Sequence, residues 1–520
     1  MRRSGLLIPA LLLCVVMAAV VLTASPYAPV IGPVREIEEI WAIEDEREQS
    51  DTPLVTRLHN DGAPLAYDAD SRTFYCTLGL ENGEEWPALH LTAPDAKGVT
   101  LCFTDDYSYD SCAEAVCEGY EYEVMAYTDE AYDYFYIVFT GLPVVTIDAQ
   151  TQIGDEDTDA AVTIVRYRDT PVCVPARVHL RGAGSRTNEK KSYHVDFVRG
   201  SGRKRVTVDV PLLGEQDDII LLAGVMDASL MRDKLSWAMY ATISGENESY
   251  GARRVEYCEA FVDGAYAGVY LMMEPVDDAQ ELARSGREQP QMDSVYRSTQ
   301  LLYRVSERPV IDNPMRENSA YELRYGSTNV EPFAALSSYL ALETEPDDAA
   351  FCEQAMQVID LESILRYYLF VQAGGMSDNV YNNMYVWAHN AGGRTVYRFA
   401  PWDMDLTWGR AKDAESGEMF DGLFSFGIAQ RMIDLDAGGV TRSTLTRLWK
   451  QMRSGAFTEE NVAALVEGFA RELNDSGAYA RNTRRWDGPS ERADGYDIVT
   501  FAAQHFATLD TLFGDMQASE

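Results

Sequence analysis

The chain is poor in positive charge: 44 Lys and Arg stand against 83 Asp and Glu, a net charge of −39 over 520 residues. A field of that sign repels phosphate backbones and anionic lipid headgroups, which argues against non-specific binding to nucleic acid or to a membrane surface. The six histidines are scattered, with no HExxH, and the eight cysteines show no CxxC or zinc-finger spacing, so a zinc hydrolase or zinc module has no support. Walker A and the kinase GxGxxG loop are absent as well, which excludes the two familiar glycine-rich nucleotide loops. No internal repeats occur. The composition, 46% apolar and 24% charged, is nevertheless that of a folded chain, and its length suits two main domains.

Charge is also missing from the start of the chain. After Met1-Arg2-Arg3 no charged residue occurs until Arg35, and Gly5 to Ala24 is almost wholly apolar. A segment of about 20 apolar residues directs export, as a membrane anchor or as a cleaved signal peptide. Leu22-Thr23-Ala24 is a poor cleavage site, which favours an anchor within residues 1–30. The remainder is then extracytoplasmic, touching the membrane only through that segment. Outside the cell, Cys76, Cys102, Cys112 and Cys117 are close enough in sequence to form structural bridges.

Residues 31–53 read as an acidic stalk with a short helix, in which Ile37, Ile40, Trp41 and Ile43 are interleaved with acids. From 54 to 140 the short apolar stretches LHLTAP, VTLCFT, YEVMAY and YFYIVF, separated by turn residues, predict a small β-sandwich. From 141 to 520 strands and helices mix, giving an α+β class. Lys191-Ser192-Tyr193-His194-Val195-Asp196-Phe197 alternates, so Lys190, Ser192, His194 and Asp196 share the face away from the apolar one. Asp218 to Ala223 reads as a buried strand, and Ser229 to Ile243 as a helix capped by Asp227 or Ser229. Asp263-Gly264 marks a type I′ hairpin. A second hairpin is expected around Asn390 to Gly393, and beyond Val440 the pattern is helical.

The chemistry concentrates in SDNVYNNMYVW and RTVYRFAPWDMDLTWG. Asp378 and Asn383 stand five apart before one hairpin strand, and Asp403 and Asp405 follow the other, so pairing of the strands brings all four to one end. Side chains at i and i+2 of an extended chain share a face, which projects Asp403 and Asp405 together. Carboxylates with an amide and no clustered His or Cys form a hard oxygen set suited to Mg²⁺, Mn²⁺ or Ca²⁺. An Asp-x4-Asn pair ahead of a hairpin, followed by a metal-binding Asp, is also the arrangement of protein kinases. Turn capping is the plain alternative for each residue alone. A nucleotide needs a cation on its phosphates, and Arg181-Gly-Ala-Gly-Ser185-Arg186 followed by Lys190-Lys191 offers one.

In order, LPVVTID, RGAGSRTNEKKSYHVDF, PLLGEQDDIILLAGVMDASLMRDKLSWAMY, VEYCEAFVDGAYAGVYLMMEPVD, DNVYNNMYVW and FAPWDMDLTWG resemble the CotH (spore coat protein H) kinase family over residues 142 to 410. The resemblance implies an atypical protein-kinase-like, two-lobed domain, exported or spore-associated, that uses ATP with Mg²⁺ or Mn²⁺ to phosphorylate Ser or Thr of a protein. It implies Asp378 as catalytic base, Asn383 and Asp403 as metal ligands assisted by Asp405, Lys190 on the nucleotide phosphates and Glu274 at the hinge near the adenine. Arg181 and Ser185 match the family's phosphate-covering loop, whose central Asn-Ser is replaced here by Ala183-Gly184. Two rivals remain from the residues themselves: a non-catalytic pseudokinase scaffold for surface or spore coat assembly, and a metal-dependent phosphoester hydrolase using the same acids.

Overall fold

The computed structural model describes residues 30–32, 34–79, 90–104, 112–182, 184–200, 204–244, 252–275, 294–299, 321–325, 333–391, 393–410, 423–425, 427–490 and 492–515. The apolar N-terminal segment lies outside them. Among the described residues no helix is long and apolar enough to cross a membrane. The chain is α+β and divides into two compact units. Unit 1 comprises Met1–Ala223, Glu256–Met272 and Arg471–Ala493; unit 2 comprises Gly224–Val255, Met273–Ala470 and Asp494–Glu520. The boundary expected at residue 140 falls inside unit 1, where it separates two sheets.

The first sheet of unit 1 is built on Ala131–Thr140, which pairs antiparallel with Glu121–Tyr127 and parallel with Thr73–Thr77. Period-2 alternation places Phe135, Ile137 and Phe139 in one core with Phe74, Tyr122 and Val124. A three-stranded sheet through His59–Asn60 completes the region, which is therefore one large mixed sheet and one small one rather than a sandwich of two comparable antiparallel sheets. The acidic segment is not a free stalk. Its helix, Ile37–Glu46, lays Ile40 and Ile43 on Cys102 and Met125, on the face opposite the main core, while Trp41 stays exposed. Cys76 sits in the main core and Cys102 on the other face, so they cannot meet. Both are free thiols, as are Cys117, Cys173, Cys258 and Cys352.

The second sheet runs in the order Val172–Arg181, Thr158–Val165, Val144–Ala149, Val255–Val262, Ala265–Met273, Asp218–Leu222, Ser192–Arg199, Lys204–Arg205. Val172–Arg181 also pairs with Ser192–Arg199, so seven strands close on themselves as in a barrel. Its interior holds Val145, Ile147, Val178, Val195, Phe197, Ile219 and Leu221. Asp263 and Gly264 both have positive φ, 52° and 75°, the type I′ conformation that asks for such residues.

Within unit 1 a fully buried ion pair fastens the third chain segment. Arg481, on the helix Ala478–Arg485, donates from Nε to Glu259 Oε1 at 2.9 Å and from its NH2 group to Oε2 at 2.9 Å, and the Tyr266 hydroxyl donates to Oε1 at 2.7 Å. Burial alone would raise the Glu259 carboxyl; Arg481, with hydrogen bonds from Thr140 and Tyr266, brings it below the usual carboxylate range. Unit 2 is helix-rich around a four-stranded sheet, Tyr321–Tyr325, Ser294–Thr299, Asn382–Ala391 and Arg394–Pro401. The helix Leu361–Ala373 is capped by Asp360, whose Oδ1 accepts from Ser363 N, and delivers the chain to the hairpin.

Removing one partner of a buried pair strands the other charge. Arg481→Met is therefore expected to cost about 3–5 kcal/mol in denaturant unfolding, and the double variant with Glu259→Met less than that. Equal losses in both would show that the pair acts only through packing.

Candidate functional site

The predicted acids of unit 2 gather where the helix Leu361–Ala373 ends. Gly374-Gly375 turns the chain, with φ of 61° at Gly375. A Cβ there would lie 2.8 Å from the ring of Phe501, so only glycine fits. The short turn Ser377–Asn379 follows and carries Asp378. Asn379 is buried, and its Nδ2 donates to the Asn383 carbonyl at 3.1 Å and the Trp402 carbonyl at 2.7 Å. One amide thus locks the turn to both strands of the hairpin, whose register pairs Met384 with Pro401. Asp378 Oδ2 accepts from Asn382 Nδ2 at 3.1 Å and from Asn383 Nδ2 at 2.9 Å. The expected Asp378–Asn383 pair is formed.

Asn383 and Asp403 take left-handed backbone conformations, φ 48° and 55°, costly for residues with a Cβ and common at functional sites. The chain is consequently not extended at Asp403, contrary to the i, i+2 reading. Asp403 is exposed, Met404 fully buried and Asp405 half-buried. Asp405 still senses its neighbours: burial first, then the charges of Asp403, Asp233, Asp227 and Asp378, push its carboxyl up to about 9. Five carboxylates share one electrostatic neighbourhood, a charge density that a divalent cation would relieve. Asp378, Asn383, Asp403 and Asp405 are hard oxygen donors and fit Mg²⁺ or Mn²⁺ by that test. Among the described residues, no three carboxylates of this group have ligand oxygens all within 4.8 Å of one another.

Asp233 carried no role in the sequence reading, and Asp227 only that of a helix cap. Asp233 Oδ1 accepts from Met404 N at 2.9 Å, and so holds the loop between Asp403 and Asp405. Asp227 caps the helix Arg232–Ile243 by accepting from Arg232 N at 2.8 Å, and its other oxygen takes the Arg232 guanidinium at 2.6 Å. Arg232 Nε then donates to the Thr407 carbonyl at 2.9 Å. The readable signal was Arg232-Asp233-Lys234, three consecutive charges at the start of a helix that is apolar on nearly every side.

Glu274 is fully buried, with Oε2 accepting from Arg254 N at 3.1 Å and Oε1 from Arg254 Nε at 2.7 Å. Lys190, Arg181 and Ser185 belong to unit 1. Arg181 pairs with Ser192 across two strands, and Ser185 lies in the turn Gly184–Thr187. Lys190 precedes its strand and does not follow the alternation that the sequence suggested. Its Nζ is buried, donating to the Val269 carbonyl at 2.5 Å and Asn482 Oδ1 at 3.0 Å, over the Tyr270 ring at 4.7 Å. Burial pushes the ammonium down to about 7.

An oriented aspartate, an asparagine five residues on and two acids closing the hairpin thus stand at one end of unit 2. A family model described as CotH kinase protein matches residues 178–507, and the chain belongs to that family. It is also 23% identical over 270 residues to inner spore coat protein H of Bacillus subtilis (strain 168), a match that covers 51% of this chain and 66% of the relative.

A carboxyl raised in the fold binds a proton that the unfolded chain has released, so its contribution to stability is complete below about pH 3.9 and is lost as pH rises through about 9. In EDTA the melting temperature of Asp405→Asn should match wild type near pH 4 and exceed it by a margin that widens towards pH 9. A constant difference across that range would mean that Asp405 is not crowded by its neighbours.

Proposed function

We propose that the carboxylate site of unit 2 transfers the γ-phosphoryl group of ATP to a Ser or Thr hydroxyl of a protein. The observation that carries this reading is the pinning of Asp378 Oδ2 by the amides of Asn382 and Asn383, which orients the carboxylate towards an acceptor hydroxyl. Asp378 then positions that hydroxyl and takes its proton as the phosphoryl group moves. Asn383, Asp403 and Asp405 would hold Mg²⁺ or Mn²⁺, whose chemistry is neutralisation of charge on the phosphate oxygens. The Asp227–Arg232–Asp233 group keeps the loop carrying Asp403 and Asp405 in place. In this reading Glu274 positions the chain through Arg254, and Arg181 and Ser185 keep the phosphate-side part that the family resemblance gives them. Lys190 would have to surrender two buried hydrogen bonds to reach a phosphate, so the reading does not depend on it. The relative is a spore coat protein by name, and we extend that location to this chain: extracytoplasmic and spore-associated, with residues 1–30 as the route of export.

Lys190 supports a second reading, a non-catalytic scaffold, because its ammonium serves the interior of unit 1. The two readings part in one experiment. Asp378→Asn keeps size and hydrogen bonding but cannot take a proton, so transfer to protein should fall by roughly 10²–10⁴-fold while Mg·ATP still binds. Asp403→Ala should weaken Mg·ATP binding in calorimetry with the fold retained. Normal transfer in Asp378→Asn would remove it as the base. Free phosphate in place of labelled protein would favour the hydrolase, and no ATP binding by wild type the scaffold.

A further inference from the structure

Unit 1 carries a second group of metal-ligating side chains, on the outer face of its closed sheet, which the phosphotransfer reading does not use. His179 and His194 stand directly opposite each other on Val172–Arg181 and Ser192–Arg199, their rings stacked at 5.0 Å and 10°. Asp196, two residues from His194 on the same face, is opposite Asp218 on the next strand. Three neighbouring strands therefore present imidazole and carboxylate to one point. His194 Nε2 lies 2.9 Å from Asp218 Oδ2 and 3.5 Å from Asp196 Oδ1, and one ligand atom from each of the three falls within 4.8 Å of the other two. Asp157 and His179 form a similar set with Asp196.

Asp218 is fully buried, and its Oδ1 has no hydrogen-bond partner among the described residues. A buried acceptor left unsatisfied is costly, so this oxygen has capacity for a further ligand. Two guanidinium groups already serve the acids: Arg177 bridges Asp157 at 2.9 Å and Asp196 at 3.3 Å, and Arg205 reaches Asp196 and, at 3.5 Å, Asp218. With Asp217, 3.6 Å from Arg205, four aspartates share these two arginines beside two imidazoles.

We propose that His194, Asp196 and Asp218 hold a borderline transition-metal ion of the Zn²⁺ class, with His179 stacked against the ligating imidazole. Ligands about 2.0–2.2 Å from a tetrahedral ion stand about 3.4 Å apart, close to the separations found here. Nitrogen in the set selects Zn²⁺, Co²⁺ or Ni²⁺ over Mg²⁺, Mn²⁺ and Ca²⁺, so this site differs in chemistry from the all-oxygen one in unit 2. The ion would tie two neighbouring strands together without a disulfide, a structural rather than catalytic part.

The test uses the full chain freed of metal by chelation, with ZnCl₂ in calorimetry and CoCl₂ as a spectroscopic probe. One Zn²⁺ per chain should bind to wild type and to Asp403→Ala alike, and its affinity should fall at least about tenfold in both His194→Gln and Asp218→Asn. Cobalt should give the visible bands of a four-coordinate ion with nitrogen ligation in wild type, a reading that stands even if a variant fails to fold. No Zn²⁺ binding by wild type at micromolar metal overturns the proposal, as does unchanged affinity in both variants. Loss of the site in Asp403→Ala would place the ion in unit 2 and overturn it equally.

Discussion

Crowding of carboxylates is the constraint around which unit 2 is organised. Burial first, and then the charges of Asp403, Asp233, Asp227 and Asp378, keep a proton on Asp405 far above the usual carboxylate range. Left alone, such a group would splay apart. It is held by neutral and cationic props: the side-chain amides of Asn382 and Asn383 on Asp378, the guanidinium of Arg232 on Asp227, and the Met404 backbone on Asp233. The left-handed backbone at Asn383 and Asp403 is a further cost of the same arrangement. Stability is given up here in favour of a concentrated negative charge, the general pattern of sites that handle cations.

Unit 1 meets the opposite problem, charges buried in apolar surroundings, and solves it by direct pairing. Glu259 is neutralised by Arg481 in two parallel hydrogen bonds, with the guanidinium 5.8 Å from the Tyr75 ring centre. Lys190 meets only neutral groups in these contacts, a carbonyl, a side-chain amide and the Tyr270 ring, and burial disfavours its positive charge where that of Arg481 is secured. Placement of both partners through the helix Ala478–Arg485 makes that helix a structural part of a sheet nearly 300 residues earlier in the chain.

Local features were the legible ones. Both hairpins, the buried strand at Asp218 and the helical pattern beyond Val440 follow from turn chemistry and periodicity, which act over a few residues. Asp378, Asn383, Asp403 and Asp405 were readable because one hairpin register brings them together. Asp227 was readable as a cap and Arg232-Asp233 as charges on an otherwise apolar helix, but what Arg232 and Asp233 hold was not, since their partners lie on a loop some 170 residues away, a distance over which periodicity is silent. Lys190 was misread for a related reason: alternation describes a strand, and the residue stands just before one begins. The acidic segment looked like a stalk because its charges dominate, yet Ile40 and Ile43 suffice to seat the helix on a sheet. The disulfides suggested by cysteine spacing fail for Cys76 and Cys102 because the two thiols occupy opposite faces of that sheet.

The three-part construction of unit 1 bears on the order in which the chain can fold. A chain emerges from its N-terminus at about 5–20 residues per second, and most of the first 223 residues could condense early. Glu259 and Lys190 would then be sealed in an apolar interior before Arg481 and Asn482 had been synthesised. The nascent unit therefore waits, incompletely packed, while all but the last stretch of unit 2 is made, and closes only when residues 471–493 arrive.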